Sequence, residues 1–182
     1  MKIIGFSGKA TVGKTTTAVC LKKLLSEEGI ESKILSMAYP LKKAASVMTG
    51  LDMRFFTDSD KKDKVIISFG VTPREFMQKM ATEFARDMIH HNFWIIRMKQ
   101  SLHKFADIPI ILIDDIRFEN EAALVRRNGV MVHLHRNVCR NDTHKSEQPL
   151  TKYKYDLCID SENHTAEEVA AMVKEEVFNG YT

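Results

Sequence analysis

The segment Gly8-Lys9-Ala10-Thr11-Val12-Gly13-Lys14-Thr15 constrains this chain more than any other. It has the form G-x-x-x-x-G-K-[ST] and lies between a short apolar run over 2–6 and a stretch from Lys14 to Glu28 with Ala18, Leu21, Leu24 and Leu25 at helical spacing. Strand, glycine-rich loop and helix in that order point a row of backbone N–H groups into one concavity at a helix N-terminus, where the helix dipole also favours an anion. A phosphate group is the ligand such a loop is built for. Gly8 and Gly13 permit close backbone approach, Lys14 reaches the β- and γ-phosphates of a nucleotide, and the Thr15 hydroxyl is a ligand for magnesium. Residues Gly8 to Thr15 together with Thr16 form the expected nucleotide site, and the expected cofactors are ATP and Mg2+.

A phosphate loop needs a carboxylate on a neighbouring strand to hold the metal. Ile110–Ile113 is a wholly apolar run followed by Asp114 and Asp115, which reads as a central strand buried on both faces. Asp114 is the preferred metal carboxylate. Asp115 is the alternative, or else it fixes an arginine, and the uniformly apolar strand offers no periodicity to choose between them.

The remaining pattern alternates strands with helices. Gly29 is a C-cap for the first helix, and Lys33–Met37 is a second strand. From Leu41 to Phe105 the sequence is helical in pieces, with no strand: Leu41, Ala44, Ala45 and Met48 share a face, and Thr72-Pro73-Arg74-Glu75 is a capping box with proline in the first turn. Phe76, Met77, Met80 and Phe84, then Trp94, Met98, Leu102 and Phe105, are expected core positions. A helix over 118–128 stops before Gly129, strands follow over 130–134 and 157–159, and Thr165 to Glu168 cap a last helix. The expected fold is α/β, a three-layer P-loop NTPase fold with a five-stranded parallel sheet and helices on both faces. Within one domain spanning 1–182, the core is 1–40, 108–135 and 153–182, a helical insert covers about 41–107, and a lid covers about 136–152.

Charge and cysteine content narrow the function. With 27 basic and 24 acidic residues the net charge is +3, too small for a polyanion such as duplex DNA to be the main partner. Cys20, Cys139 and Cys158 are three cysteines at wide spacing, which fits a reducing compartment better than a disulfide scaffold or a zinc site. The opening residues are too short for a signal h-region, and no stretch approaches about 20 apolar residues, so no membrane partner and a cytoplasmic protein are expected. None of the eight glycines has an aspartate three positions before it, which argues against a GTPase switch.

Phosphoryl transfer to an acceptor that is itself a phosphate needs charge neutralisation more than a base. Arg74, Arg86, Arg117, Arg136 and Arg140 are the candidates, because a guanidinium fork binds phosphate oxygens two at a time. With these residues in view, the chain resembles the deoxynucleoside monophosphate kinases of tailed bacteriophages, a branch of the P-loop nucleoside monophosphate kinases. The matching segments are GKATVGKTT, AYPLKKA, TPREFMQKMATEFARDMIHHNFW, DDIRFENEA and HKSE. The resemblance implies transfer from ATP to a deoxynucleoside 5'-monophosphate, with the acceptor near Lys42, Arg74, Gln78, Arg86, Trp94 and Arg117 and Pro40 shaping the same pocket. It also implies a lid in which Arg136 or Arg140 adds positive charge and His144 and Glu147 organise the closed loop, Glu147 counting with the substrate contacts. Lys14, Asp114, Asp115, Arg136 and Arg140 form the expected catalytic set; a homodimer and, for a phage-encoded chain, the host cytoplasm follow from the same resemblance. Two other readings keep the loop but change its use: a kinase of another phosphorylated acceptor, as in the animal-type phosphomevalonate kinases, and a nucleotide-binding regulatory module that phosphorylates nothing.

Overall fold

The computed structural model describes residues 1–66, 68–136 and 155–179. They form two compact bodies, one from Met1–Ser36 with Met98–Thr182 and one from Met37–Arg97.

The first body is built on five parallel strands: β1 (Lys2–Ser7), β2 (Ser32–Leu35), β3 (Ile110–Ile116), β4 (Gly129–His135) and β5 (Leu157–Asp160), in the spatial order β2-β3-β1-β4-β5. Side chains alternate across the pleat of β1. Ile4 and Phe6 are fully buried among Ala18, Leu21 and Leu25 of α1 (Lys14–Glu27) and Val169, Ala170 and Val173 of α8 (Ala166–Asn179). On the other face a side chain at Gly5 would collide with Val125 of α7 (Glu119–Arg126) and with Met131. Helices therefore cover both faces, as expected. Burying each of these large apolar side chains contributes about 1.5–3 kcal/mol, which makes the sheet the natural anchor for the loops at its ends.

Two boundaries moved. The second strand is Ser32–Leu35, earlier than the expected 33–37, because Gly29 ends α1 in the left-handed region at φ 73° and the chain can extend at once. β3 does not stop at Ile113 but runs through Asp114 and Asp115 to Ile116, which pairs with Ser7 across an irregularity between Gly5 and Ser7. β2 pairs with β3 only as far as Ile113, and pairing with β1 as far as Ile116 overrides the low strand propensity of aspartate.

The second body is helical: α2 (Tyr39–Thr49), the short helices α3 (Arg54–Thr57) and α4 (Ser59–Lys62), α5 (Pro73–Gln78), a π-helical segment (Lys79–Ile89), and the start of α6 (Phe93–Lys104). The capping box at Thr72 is present: its hydroxyl accepts from Glu75 N–H at 3.1 Å, and Glu75 accepts from Thr72 N–H at 2.8 Å. One isolated antiparallel bridge joins Ile66 and Val71. One expected core position, Phe84, is exposed, and of the α2 residues expected to share a face, Leu41 and Ala45 are buried while Ala44 and Met48 are exposed. For Phe84 the reason is the wider turn after Gln78, which rotates each later side chain away from its place on a 3.6-residue helix.

Candidate active site

The loop between β1 and α1 takes the conformation its glycines allow. Gly8 has φ 139°, Gly13 has φ 96°, and a side chain on Gly8 would meet the Leu134 carbonyl at 2.2 Å. Both positions need glycine. Lys14 is buried, and its ammonium donates to the carbonyls of Gly8 and Lys9, each at 2.8 Å, so the charge is folded over the loop's concave side.

Thr15 and Asp114 meet directly, the hydroxyl donating to Asp114 Oδ2 at 2.9 Å. Asp115 instead accepts from Arg117 Nε at 2.8 Å, so the adjacent carboxylates serve different partners. The pair Thr15 and Asp114 is a set of hard oxygen donors that fits magnesium. Among the described residues no cluster of three or more His, Cys, Asp or Glu forms a protein-only metal cage, as suits an ion that takes one or two protein ligands and completes its shell from phosphates and water.

Several residues around the loop carry no motif and escaped the sequence reading. Ser7, buried at the end of β1, hydrogen-bonds His133 Nδ1 at 3.1 Å, and the His133 ring stacks on Tyr155 with centroids 4.2 Å apart. Burial first, then His135 and then Lys14 push the His133 pKa down to about 4, so the ring is neutral beside the loop lysine. Ser161, also buried, donates to the Val12 carbonyl at 3.2 Å, with His135 O at 3.1 Å. Its own carbonyl accepts Arg136 Nε at 3.0 Å and Nη2 at 2.6 Å. One serine thus ties the loop to the guanidinium at the end of β4. A third carboxylate, Glu121, is buried and accepts the N–H groups of Arg117 at 2.8 Å and Phe118 at 3.1 Å, setting the turn that presents Arg117.

In the second body, Arg74 lies on α5 with its Nε 2.6 Å from Asp63 Oδ1. Gln78 ends α5, and Arg86 is buried on the π-helical segment. Trp94 is buried and gives its indole N–H to the Ala81 carbonyl at 3.0 Å, which fixes the start of α6 against that segment. Lys42, on α2, is half-buried. Arg140, His144 and Glu147 lie outside the described residues, as does most of the expected lid.

A parallel sheet in this order, with a glycine-rich phosphate loop after β1 and a carboxylate on β3 bonded to the loop threonine, defines a P-loop NTPase fold. An APS kinase of Mycobacterium tuberculosis, in a structure with AMPPNP and APS, has the same fold: TM-score 0.53 at 15% identity, covering 96% of this chain and 95% of that one. More specifically, residues 50–172 match the deoxynucleotide monophosphate kinases, and the chain belongs to that family of phosphotransferases. A protein of Acanthamoeba polyphaga mimivirus that bears the deoxynucleotide monophosphate kinase name is 30% identical over 188 residues, 95% of this chain and 94% of its own length. The deoxynucleoside-5'-monophosphate kinase of Escherichia phage T5 is 34% identical over 71 residues, 39% of this chain and 28% of its own length.

Proposed function

We propose that this chain transfers the γ-phosphoryl group of ATP to a deoxynucleoside 5'-monophosphate, releasing ADP and the deoxynucleoside diphosphate. The reading is carried by the family match over residues 50–172, which takes in both the arginine-bearing segment from Arg74 to Trp94 and the strand holding Asp114. Lys14 is the charge that meets the β- and γ-phosphates, and the backbone N–H groups from Lys9 to Thr16 are the cradle. Thr15 and Asp114 are the residues that would hold magnesium, whose chemistry when bound is to neutralise charge on the phosphate oxygens. Arg136, anchored on Ser161, adds positive charge at the donor, with Arg140 and Glu147 completing the lid and Asp115 orienting Arg117. Lys42, Arg74, Gln78, Arg86, Trp94 and Arg117 receive the acceptor. A phosphate oxygen is already nucleophilic at neutral pH, so these residues act by position and charge and no general base is required.

No helix among the described residues is long and apolar enough to cross a membrane, which suits an enzyme of soluble nucleotides working in the cytoplasm. Absence of direct nucleic-acid binding and assembly as a homodimer belong to the same proposal, the latter read by sedimentation. The deciding experiment is a coupled ADP-release assay with ATP, magnesium and each of dAMP, dCMP, dGMP, dTMP, GMP and phosphomevalonate. Turnover of deoxynucleotides that falls by about a hundredfold or more in Lys14→Ala supports the reading, on the scale of removing one transition-state donor. Turnover of none by a wild-type protein that still binds ATP would sink it and favour a regulatory nucleotide-binding role.

A further inference from the structure

The π-helical segment Lys79–Ile89 buries a threonine and an arginine while it leaves large apolar side chains exposed. Its buried residues are Thr82, Ala85 and Arg86, while Phe84, Met88 and Ile89 are exposed. Lys79, Glu83 and Asp87 are exposed beside them, so hydrophobicity alone does not choose the buried face. π-Helical turns are rare and concentrate at functional sites.

Thr82 is the particular residue. It is 5% exposed, and its hydroxyl makes no hydrogen bond among the described residues. A helical threonine ordinarily satisfies itself by turning Oγ1 back to the carbonyl three or four residues earlier. Here it does not, and the hydroxyl is left desolvated with its donor and both acceptor lone pairs unused, a state that costs stability unless a ligand completes it. Gln78 and Arg86 stand four residues to either side.

We infer that Thr82 Oγ1 is a specificity-determining contact that hydrogen-bonds the base of the acceptor nucleotide. This rests on the proposed function. The phosphate and the deoxyribose are common to every acceptor, and the phosphate is matched by guanidinium forks. The base is the neutral part whose polar edge differs from one acceptor to the next, and an uncharged group that both donates and accepts is suited to it. A buried group that one base satisfies and another leaves unpaired discriminates between them far more strongly than an apolar wall.

The test compares wild type, Thr82→Val and Thr82→Ser on dAMP, dCMP, dGMP and dTMP, with melting temperatures measured alongside. Thr82→Val keeps the shape and removes the hydroxyl. Its kcat/KM for the best wild-type acceptor is expected to fall about tenfold to a hundredfold, the size of one unpaired buried partner. A poorly accepted base is expected to change by less than about threefold, so the preference flattens, and Thr82→Ser keeps the wild-type ranking. Because the hydroxyl has no partner among the described residues, Thr82→Val is expected to melt at or above wild type. An equal loss on all four acceptors, no loss on any, or a lowered melting temperature or failure to fold overturns the inference and leaves the kinase reading standing. If wild type turns over none of the four, the kinase reading fails and takes this inference with it.

Discussion

Thr15 and Asp114, separated by 99 positions in the chain, are joined by a 2.9 Å hydrogen bond from the threonine hydroxyl to the aspartate Oδ2. Neighbouring Asp115, one residue on, is turned to Arg117. The two carboxylates therefore have separable roles, and conservative amides separate them.

Asp114→Asn is expected to raise the magnesium concentration needed for half-maximal activity and to lower kcat by about a hundredfold, as for loss of one preorganised charge at the transferring group. Asp115→Asn is expected to leave the magnesium requirement unchanged and to raise the KM for the acceptor by releasing Arg117. Magnesium titrations of both variants at fixed ATP check this; equal magnesium defects in the two would contradict the division of labour.

The depressed His133 pKa makes stability depend on pH. Its folded-state value, about 4, lies below the ordinary 6.5, so the unfolded chain binds the proton more readily. Stability from this group is fully present above about pH 6.5 and is lost as the pH falls toward 4. His133→Phe keeps a ring against Tyr155 and removes the titration. Melting curves of the two proteins from neutral to acidic pH should converge as the pH drops through that window; parallel curves would show that His133 titrates normally.

Ser161→Ala removes the donor that Val12 O uses. Leaving a buried carbonyl unpaired is expected to cost about 1–3 kcal/mol of folding stability, a fall of several degrees in Tm. Because Val12 lies in the phosphate loop, the KM for ATP should rise as well. Calorimetry and ATP titration of the variant check both, and a lowered Tm with unchanged KM would mark Ser161 as structural only.

In the second body, Thr72→Ala removes the hydroxyl that accepts the Glu75 N–H, one half of the capping box, and leaves the Thr72 backbone N–H to donate to Glu75. The expected loss is about 1 kcal/mol. Urea unfolding monitored through Trp94 fluorescence reads it, and Thr72→Ser should restore most of the loss.

The sheet and its phosphate loop were readable because their signals are local. The run over 2–6, the spacing of Gly8 and Gly13, and the apolar stretch Ile110–Ile113 each report what their own segment does. The capping boxes at Thr72 and Thr165 were equally plain, since a cap involves residues only three apart. Phe84 failed because a helical wheel presumes a 3.6-residue turn, and the change to a π register after Gln78 leaves no mark in a hydrophobicity pattern.

By itself the sequence determined the α/β class, the phosphate loop and the inventory of candidate arginines and carboxylates. It left the partners open: which aspartate meets Thr15, that Ser7 meets His133, that Ser161 meets Val12, and that the Thr82 hydroxyl meets no partner among the described residues. Those were decided only when β1, β3, β4 and β5 lay side by side and the second body folded. The physical reason is range. Backbone geometry and hydrophobic periodicity act over a few residues and can be read along the chain, whereas a hydrogen bond between side chains 99 or 149 positions apart exists only where packing brings them within about 3 Å.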